Sequence, residues 1–227
     1  MLNVLIVESE NDQYFVEALI THLNYQEINV VDPICAVDDY KCLGGLSLKR
    51  LKEALFYLKD EVQTANGIQK IGIILDRDNE TEANRLELVN TAIQAIFETD
   101  QSFSSTSELI TIDIDSDSQV KMACYFTHVE GKGELETVLK AIKNQDSTYA
   151  DCLFHWKDCL EEQGKPIKEK EFDKLWVNFY QRFDCCDKKD RYQAARKCNP
   201  EASMKKGIYN LDSPVLDDFK QFLSLFR

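Results

Sequence analysis

The side chains of this chain best suited to chemistry are carboxylates that directly follow apolar runs. Residues 3–7 (NVLIV) lead straight into Glu8. Residues 71–75 (IGIIL) lead straight into Asp76, which opens the stretch Asp76-Arg77-Asp78-Asn79-Glu80. Alternate residues of an extended chain point the same way, so Asp76, Asp78 and Glu80 are expected on one side with Arg77 turned from them. Ligands of open parallel sheets sit outside the carboxyl ends of the strands. Adding Glu8 there would gather three or four acids in one small volume. Such crowding is unfavourable unless a cation neutralises it or some acids keep their protons. Donor sets made of oxygen alone suit a hard ion, Mg²⁺ or Mn²⁺. The chemistry this supports is phosphoryl transfer or phosphodiester hydrolysis, in which an ion polarises the phosphate and activates a nucleophile. A DxD in a surface loop is by itself more often a pair of solvated acids. Glu8 at a second strand end is what turns the pair into a candidate site.

Helices and strands must hold these acids in place. The two short runs rich in branched residues read as strands covered on both faces, and residues 28–34 as a third. Residues 9–12 form an [ST]xx[DE] capping box that opens a helix through Phe15, Ala18, Leu19 and Leu23. Gly44-Gly45 marks a turn. Leu48, Leu51, Leu55, Leu58 and Val62 then lie at helical spacing, as do Leu86, Val89, Ile93, Ile96 and Phe97. Residues 108–114 and 120–127 alternate around a turn and predict a hairpin. Gly133 precedes a helix through Leu135, Val138, Leu139 and Ile142. This order predicts an α/β fold with a mostly parallel sheet and helices on both faces. Residues 147–227 hold no convincing strand; Trp156, Leu160, Phe172, Leu175, Trp176, Phe179 and Phe183 read as helical core. Two domains are therefore expected: 1–146, and a helical C-terminal extension over 147–227.

The chain has 227 residues and a net charge of −13. Residues 1–150 carry 12 basic and 26 acidic side chains, whereas 151–206 carry 13 and 11. That balance argues against a general nucleic-acid coat or an anionic-membrane binder, though not against an enzyme whose acids hold metal. No stretch of 18 apolar residues occurs and residues 1–7 run into acids with no basic leader, so a cytoplasmic protein without membrane contact is expected. The eight cysteines show no CxxC pair and are expected to be free thiols. Cys152, His155 and Cys159 share a helical face, a spacing open to zinc but short of a fourth ligand.

Three families place acids at strand ends. The opening resembles a response-regulator receiver, but receivers put paired acids directly after the first strand, and here Ser9 follows Glu8. Haloacid-dehalogenase-type enzymes usually carry DxD on the first strand, not the third. A Glu ending the first strand with DxD ending the third resembles the TOPRIM fold of topoisomerases, DnaG-type primases and OLD-family nucleases. The residues that carry the resemblance are Leu5-Ile6-Val7-Glu8 and Ile73-Ile74-Leu75-Asp76-Arg77-Asp78. Val7-Glu8-Ser9-x-x-Asp12-x-x-Phe15, Gly44-Gly45 and Gly133-x-Leu135-Glu136 make the chain most similar to a stand-alone prokaryotic TOPRIM-like family of unknown function. The resemblance implies a TOPRIM/Rossmann-like three-layer sandwich over about residues 1–142. It implies general acid/base or metal-ligand duty for Glu8, metal binding by Asp76 and Asp78, and Glu136 as a further ligand. It also implies a Mg²⁺- or Mn²⁺-dependent nuclease acting on DNA or RNA, an ATPase partner, and an assisting lysine drawn from Lys132, Lys188 and Lys189. Ser9 departs from the Gly usual after the Glu. No tyrosine motif of a topoisomerase and no GxxxxGK[ST] loop is present. A non-catalytic module, TOPRIM-like or receiver-like, is the competing expectation, and the apolar C-terminal helices would suit either a packed core or a homodimer.

Overall fold

A computed structural model describes residues 2–34, 47–63, 67–116 and 118–227. The branched runs form strands: β1 (Leu2–Val7) and β3 (Ile68–Asp76), whose last residues are all buried. They pair in parallel, with Val7 opposite Ile74. The third run yields only β2 (Ile28–Val30), although Val31 and Ile34 go on donating their N–H groups to Leu5 O and Val7 O. The expected hairpin is present as β4 (Ile110–Asp113) antiparallel to β5 (Gln119–Thr127). The strand order is β2-β1-β3-β5-β4, so the sheet is parallel except at its β4 edge. Gly44-Gly45 lies outside the described residues.

Strand parity distributes the core. Val4, Ile6, Ile71, Ile73, Leu75, Met122, Cys124 and Phe126 pack with buried residues of α2 (Leu48–Val62) and α3 (Glu82–Phe97). The opposite face meets α1 (Glu10–His22) and α10 (Asp217–Ser224): the Tyr125 ring stacks on Phe219 at 4.5 Å, and Phe219 lies 5.8 Å from Phe15. Gly72 sits on this face because a side chain there would have no room. A Cβ would stand 2.4 Å from Leu5 Cδ2 and 2.7 Å from Phe226 Cζ. The result is the three-layer α/β sandwich that the alternating pattern predicts.

The described residues form two compact units, one of 1–127 with 216–227 and one of 128–215. The division expected after residue 146 thus falls nearer Thr127, and the final helix belongs with the sheet. The reason is local: Asn3 Nδ2 donates to Phe226 O at 2.6 Å and Lys70 Nζ to Leu225 O at 2.6 Å, so the starts of β1 and β3 satisfy carbonyls at the end of α10.

The second unit is helical: α4 (Leu135–Ala141), α5 (Thr148–Glu162), α6 (Glu169–Phe179) running into a π-helical turn (Tyr180–Asp184), and the short α7 (Lys188–Arg191), α8 (Ala194–Lys197) and α9 (Pro200–Met204). Its core is Phe172, Trp176 and Tyr180, the last two stacked 5.3 Å apart. The Tyr180 hydroxyl donates to Ile208 O and accepts from the N–H groups of Asn144 and Gln145. Asp184 caps the start of α5 through the N–H groups of Tyr149 and Ala150. Trp156 and Leu175, expected in the core, are exposed instead; of α5 only Ala150 is buried. Another correction concerns the thiols. Cys186 and Cys198 form a disulfide, whereas Cys124, Cys152, Cys159 and Cys185 are free.

Candidate functional site

Parallel pairing of β1 with β3 sets Glu8 and Asp76 at the carboxyl ends of neighbouring strands. The chain leaves β1 toward β2 on one side of the sheet, while β3 lies on the other, so these ends flank the point where strand order reverses. Glu8 and Asp76 are each more than nine-tenths buried. The Glu8 carboxylate accepts from the backbone N–H of Asp76 at 3.4 Å.

Ser9 explains how the chain turns after Glu8. It is the N-cap of α1, its hydroxyl accepting from Asp12 N at 3.3 Å while the Asp12 carboxylate accepts from Ser9 N at 2.9 Å. Its φ of −133° is ordinary extended backbone, so glycine is not needed there and the serine hydroxyl serves the helix start. Asp12 is buried in this role.

After Asp76 the chain does not stay extended. Arg77 N still donates to Thr127 O at 3.1 Å, but Asp78 turns left-handed at φ 55° and Glu80 N reaches back to Arg77 O at 3.2 Å. An aspartate tolerates that conformation better than most side chains. Asp76 and Asp78 nonetheless each bring a carboxylate oxygen within 4.8 Å of the other. Glu80, expected to join them, is exposed and accepts from Asn84 Nδ2 at 2.9 Å. Glu8 does not complete a three-carboxylate cluster with the two aspartates at that spacing; its carboxylate meets the Asp76 backbone N–H.

Arg85, in the first turns of α3, holds this bend. Its Nε donates to Arg77 O at 3.3 Å and its Nη2 makes a close ion pair with the Asp78 carboxylate, both side chains being largely shielded. Arg77 itself pairs with Glu82 at 3.7 Å, and its Nε is buried without a hydrogen-bond partner. Arg85 was not foreseen from sequence, since an arginine in a helix register reads as a solvated side chain.

Glu136 lies in the second unit, half-buried in the first turn of α4. The buried acid of that segment is Glu134 instead. Gly133 has a φ of +95° and a Cβ there would strike Thr137 Oγ1 at 2.5 Å, so the glycine is required by the turn. Glu134 follows at 2% exposure with Lys170 Nζ at 2.8 Å and Lys174 Nζ at 3.7 Å. Burial pushes its carboxyl above the usual range, against the pull of the two ammonium groups. Gly133 is the feature of the sequence that marks this turn. Lys132, Lys188 and Lys189 are exposed, and Cys152 and Cys159 are exposed thiols.

The fold and the acids define an α/β protein with buried carboxylates at the switch point of a mostly parallel sheet. The chain belongs to the family described as "Protein of unknown function (DUF3226)", whose model matches residues 2–227. Neither the curated proteins nor the solved structures held a match.

Proposed function

We propose that this protein is a divalent-cation-dependent phosphodiesterase acting on nucleic acid, with Glu8, Asp76 and Asp78 as its working acids. The observation that carries the reading is that two buried acids stand at adjacent parallel strand ends, with an Asp78 oxygen in reach of Asp76. The donors are all oxygen, and they fit Mg²⁺ or Mn²⁺ better than a soft ion. A bound ion would supply Lewis acidity toward a phosphoryl oxygen and lower the pKa of its water. Asp76 and Asp78 would hold it. Glu8, whose carboxylate already meets the Asp76 backbone, would orient or take the proton of the attacking water. The resemblance to TOPRIM nucleases supports the same assignment, and with it an ATPase as partner.

A second reading has one observation in its favour. Arg85 already supplies a positive charge to Asp78, as it would in an ion-binding or purely structural module without turnover. The two readings separate in one experiment. The full chain is incubated with single- and double-stranded DNA and RNA, with Mg²⁺ or Mn²⁺, beside Asp76→Asn and Glu8→Gln. Cleavage by the wild type that is abolished in Asp76→Asn and strongly reduced in Glu8→Gln is the expected result. Mn²⁺ binding without cleavage of any of the four substrates overturns the enzyme in favour of the module.

A further inference from the structure

The disulfide between Cys186 and Cys198 closes a segment, CDKKDRYQAARKC, that holds five basic and two acidic side chains in a chain of net charge −13. Its inner side is a small knot of Cys186, Ala194 and Cys198. Arg191 turns inward, donating to the carbonyls of Cys186 and Phe183 with its guanidinium over the Phe183 ring. Lys188, Lys189, Arg196 and Lys197 face outward and are exposed. Lys197 shares Asp190 with Lys206, at 3.0 and 3.3 Å; among the described residues Lys188 and Lys189 have no acidic partner.

Between these cations stands Tyr192, 93% exposed. Its backbone N–H caps α7 by donating to Asp190 O, but among the described residues its side chain makes no hydrogen bond and no ring contact. A tyrosine usually buries most of its ring, so one held almost wholly in water contributes nothing to packing. It lies four residues after Lys188, on the same side of the helical turn.

We propose that this disulfide-closed loop is a contact surface for single-stranded nucleic acid. Tyr192 would stack on an unpaired base, and Lys188, Lys189, Arg196 and Lys197 would meet the flanking phosphates. An aromatic ring amid cations is how strands are gripped without sequence preference, since every base has a face and every nucleotide a charge. A duplex hides its base faces and would engage the lysines alone. The acidity of residues 1–150 repels a polyanion, which favours binding in the more basic 151–206 stretch that holds this loop. This rests on the nucleic-acid reading above and gives it a substrate class.

The test is fluorescence anisotropy with the disulfide-intact full chain in EDTA, which stops cleavage. The probes are labelled single-stranded DNA and RNA oligonucleotides and the matching duplex. Tyr192→Ala should weaken single-strand binding roughly ten- to hundred-fold and leave duplex binding almost unchanged, with Tyr192→Phe close to wild type. Lys188→Glu with Lys189→Glu should weaken both and flatten the salt dependence. Equal single-strand affinity for Tyr192→Ala and wild type overturns the proposal. So does an absence of wild-type binding at about 50 mM salt, where phosphate contacts are strong. Because the acids of the first unit are idle in EDTA, Tyr192-dependent binding by a protein that never cleaves overturns hydrolysis alone.

Discussion

The carboxylate of Glu8 and the backbone N–H of Asp76 lie 3.4 Å apart although 68 residues separate them in the chain. This contact exists because two buried strands run side by side in the same direction, with Val7 opposite Ile74. It ties the first strand's terminal acid to the backbone of the third strand's, rather than setting carboxylate against carboxylate. The two residues therefore have different work. Asp76→Asn should weaken Mn²⁺ binding and abolish cleavage. Glu8→Gln, still able to accept from the same N–H, should keep the fold and most Mn²⁺ affinity while cutting the rate on the order of a hundred-fold. Titration calorimetry and single-turnover cleavage check this; equal loss of binding in both variants would contradict the division of roles.

Arg85 is expected to be the most sensitive charged residue of the first unit. Its removal leaves the Asp78 carboxylate in a shielded place without its cation and Arg77 O without a donor. Arg85→Ala should cost roughly 2–4 kcal/mol in urea unfolding. Arg85→Lys should recover only part of this, since one ammonium cannot reach both acceptors in the same geometry. Adding Asp78→Asn to Arg85→Ala should cost less than the two separately.

Gly72 tests the packing of α10 on the sheet. A methyl group there meets Leu5 and the Phe226 ring well inside contact distance. Gly72→Ala should lower stability by roughly 1–3 kcal/mol, seen as a lower urea midpoint, and Gly72→Val by more.

The Cys186–Cys198 disulfide closes a loop with a sequence separation of 12. Reduction, or Cys198→Ser, should lower stability by about 3 kcal/mol through the freed chain entropy of the unfolded state. Peptide mapping by mass spectrometry under denaturing, non-reducing conditions should find Cys186 joined to Cys198. Limited proteolysis after reduction should cut first between residues 187 and 205.

Glu134 gives a pH signature with a defined sign. Burial raises its folded pKa above the unfolded value. Its protonated form is thus favoured by folding, and that stability is present at low pH. It is lost as pH rises from the ordinary glutamate value through the raised one. Glu134→Gln should gain on the wild type over that window, and the difference in melting temperature between the two should level off above it.

Strand and helix identities were legible because they depend on local pattern. Buried strands are continuous branched runs, such as residues 3–7 and 71–75, and the hairpin alternates. The acids at the ends of those runs were legible for the same reason, and so was the capping box at Ser9. What the pattern could not carry was anything decided by a partner distant in the chain. Alternation suggested that Glu80 would join Asp78, yet the bend at Asp78 and the pull of Asn84 take it to the surface. Trp156 has helical spacing and an apolar ring, yet it stays 40% exposed.

The amino-acid order alone determined the α/β class, the succession of elements and the positions of Glu8 and Asp76 at strand ends, since hydrophobic period and backbone propensity act over a few residues. Tertiary structure decided that those ends are neighbours, that Arg85 closes on Asp78, that Glu134 rather than Glu136 is buried, and that Cys186 meets Cys198. Each of these depends on which surfaces pack together, and a side chain's burial, charge partner and protonation follow from that packing rather than from its place in the chain.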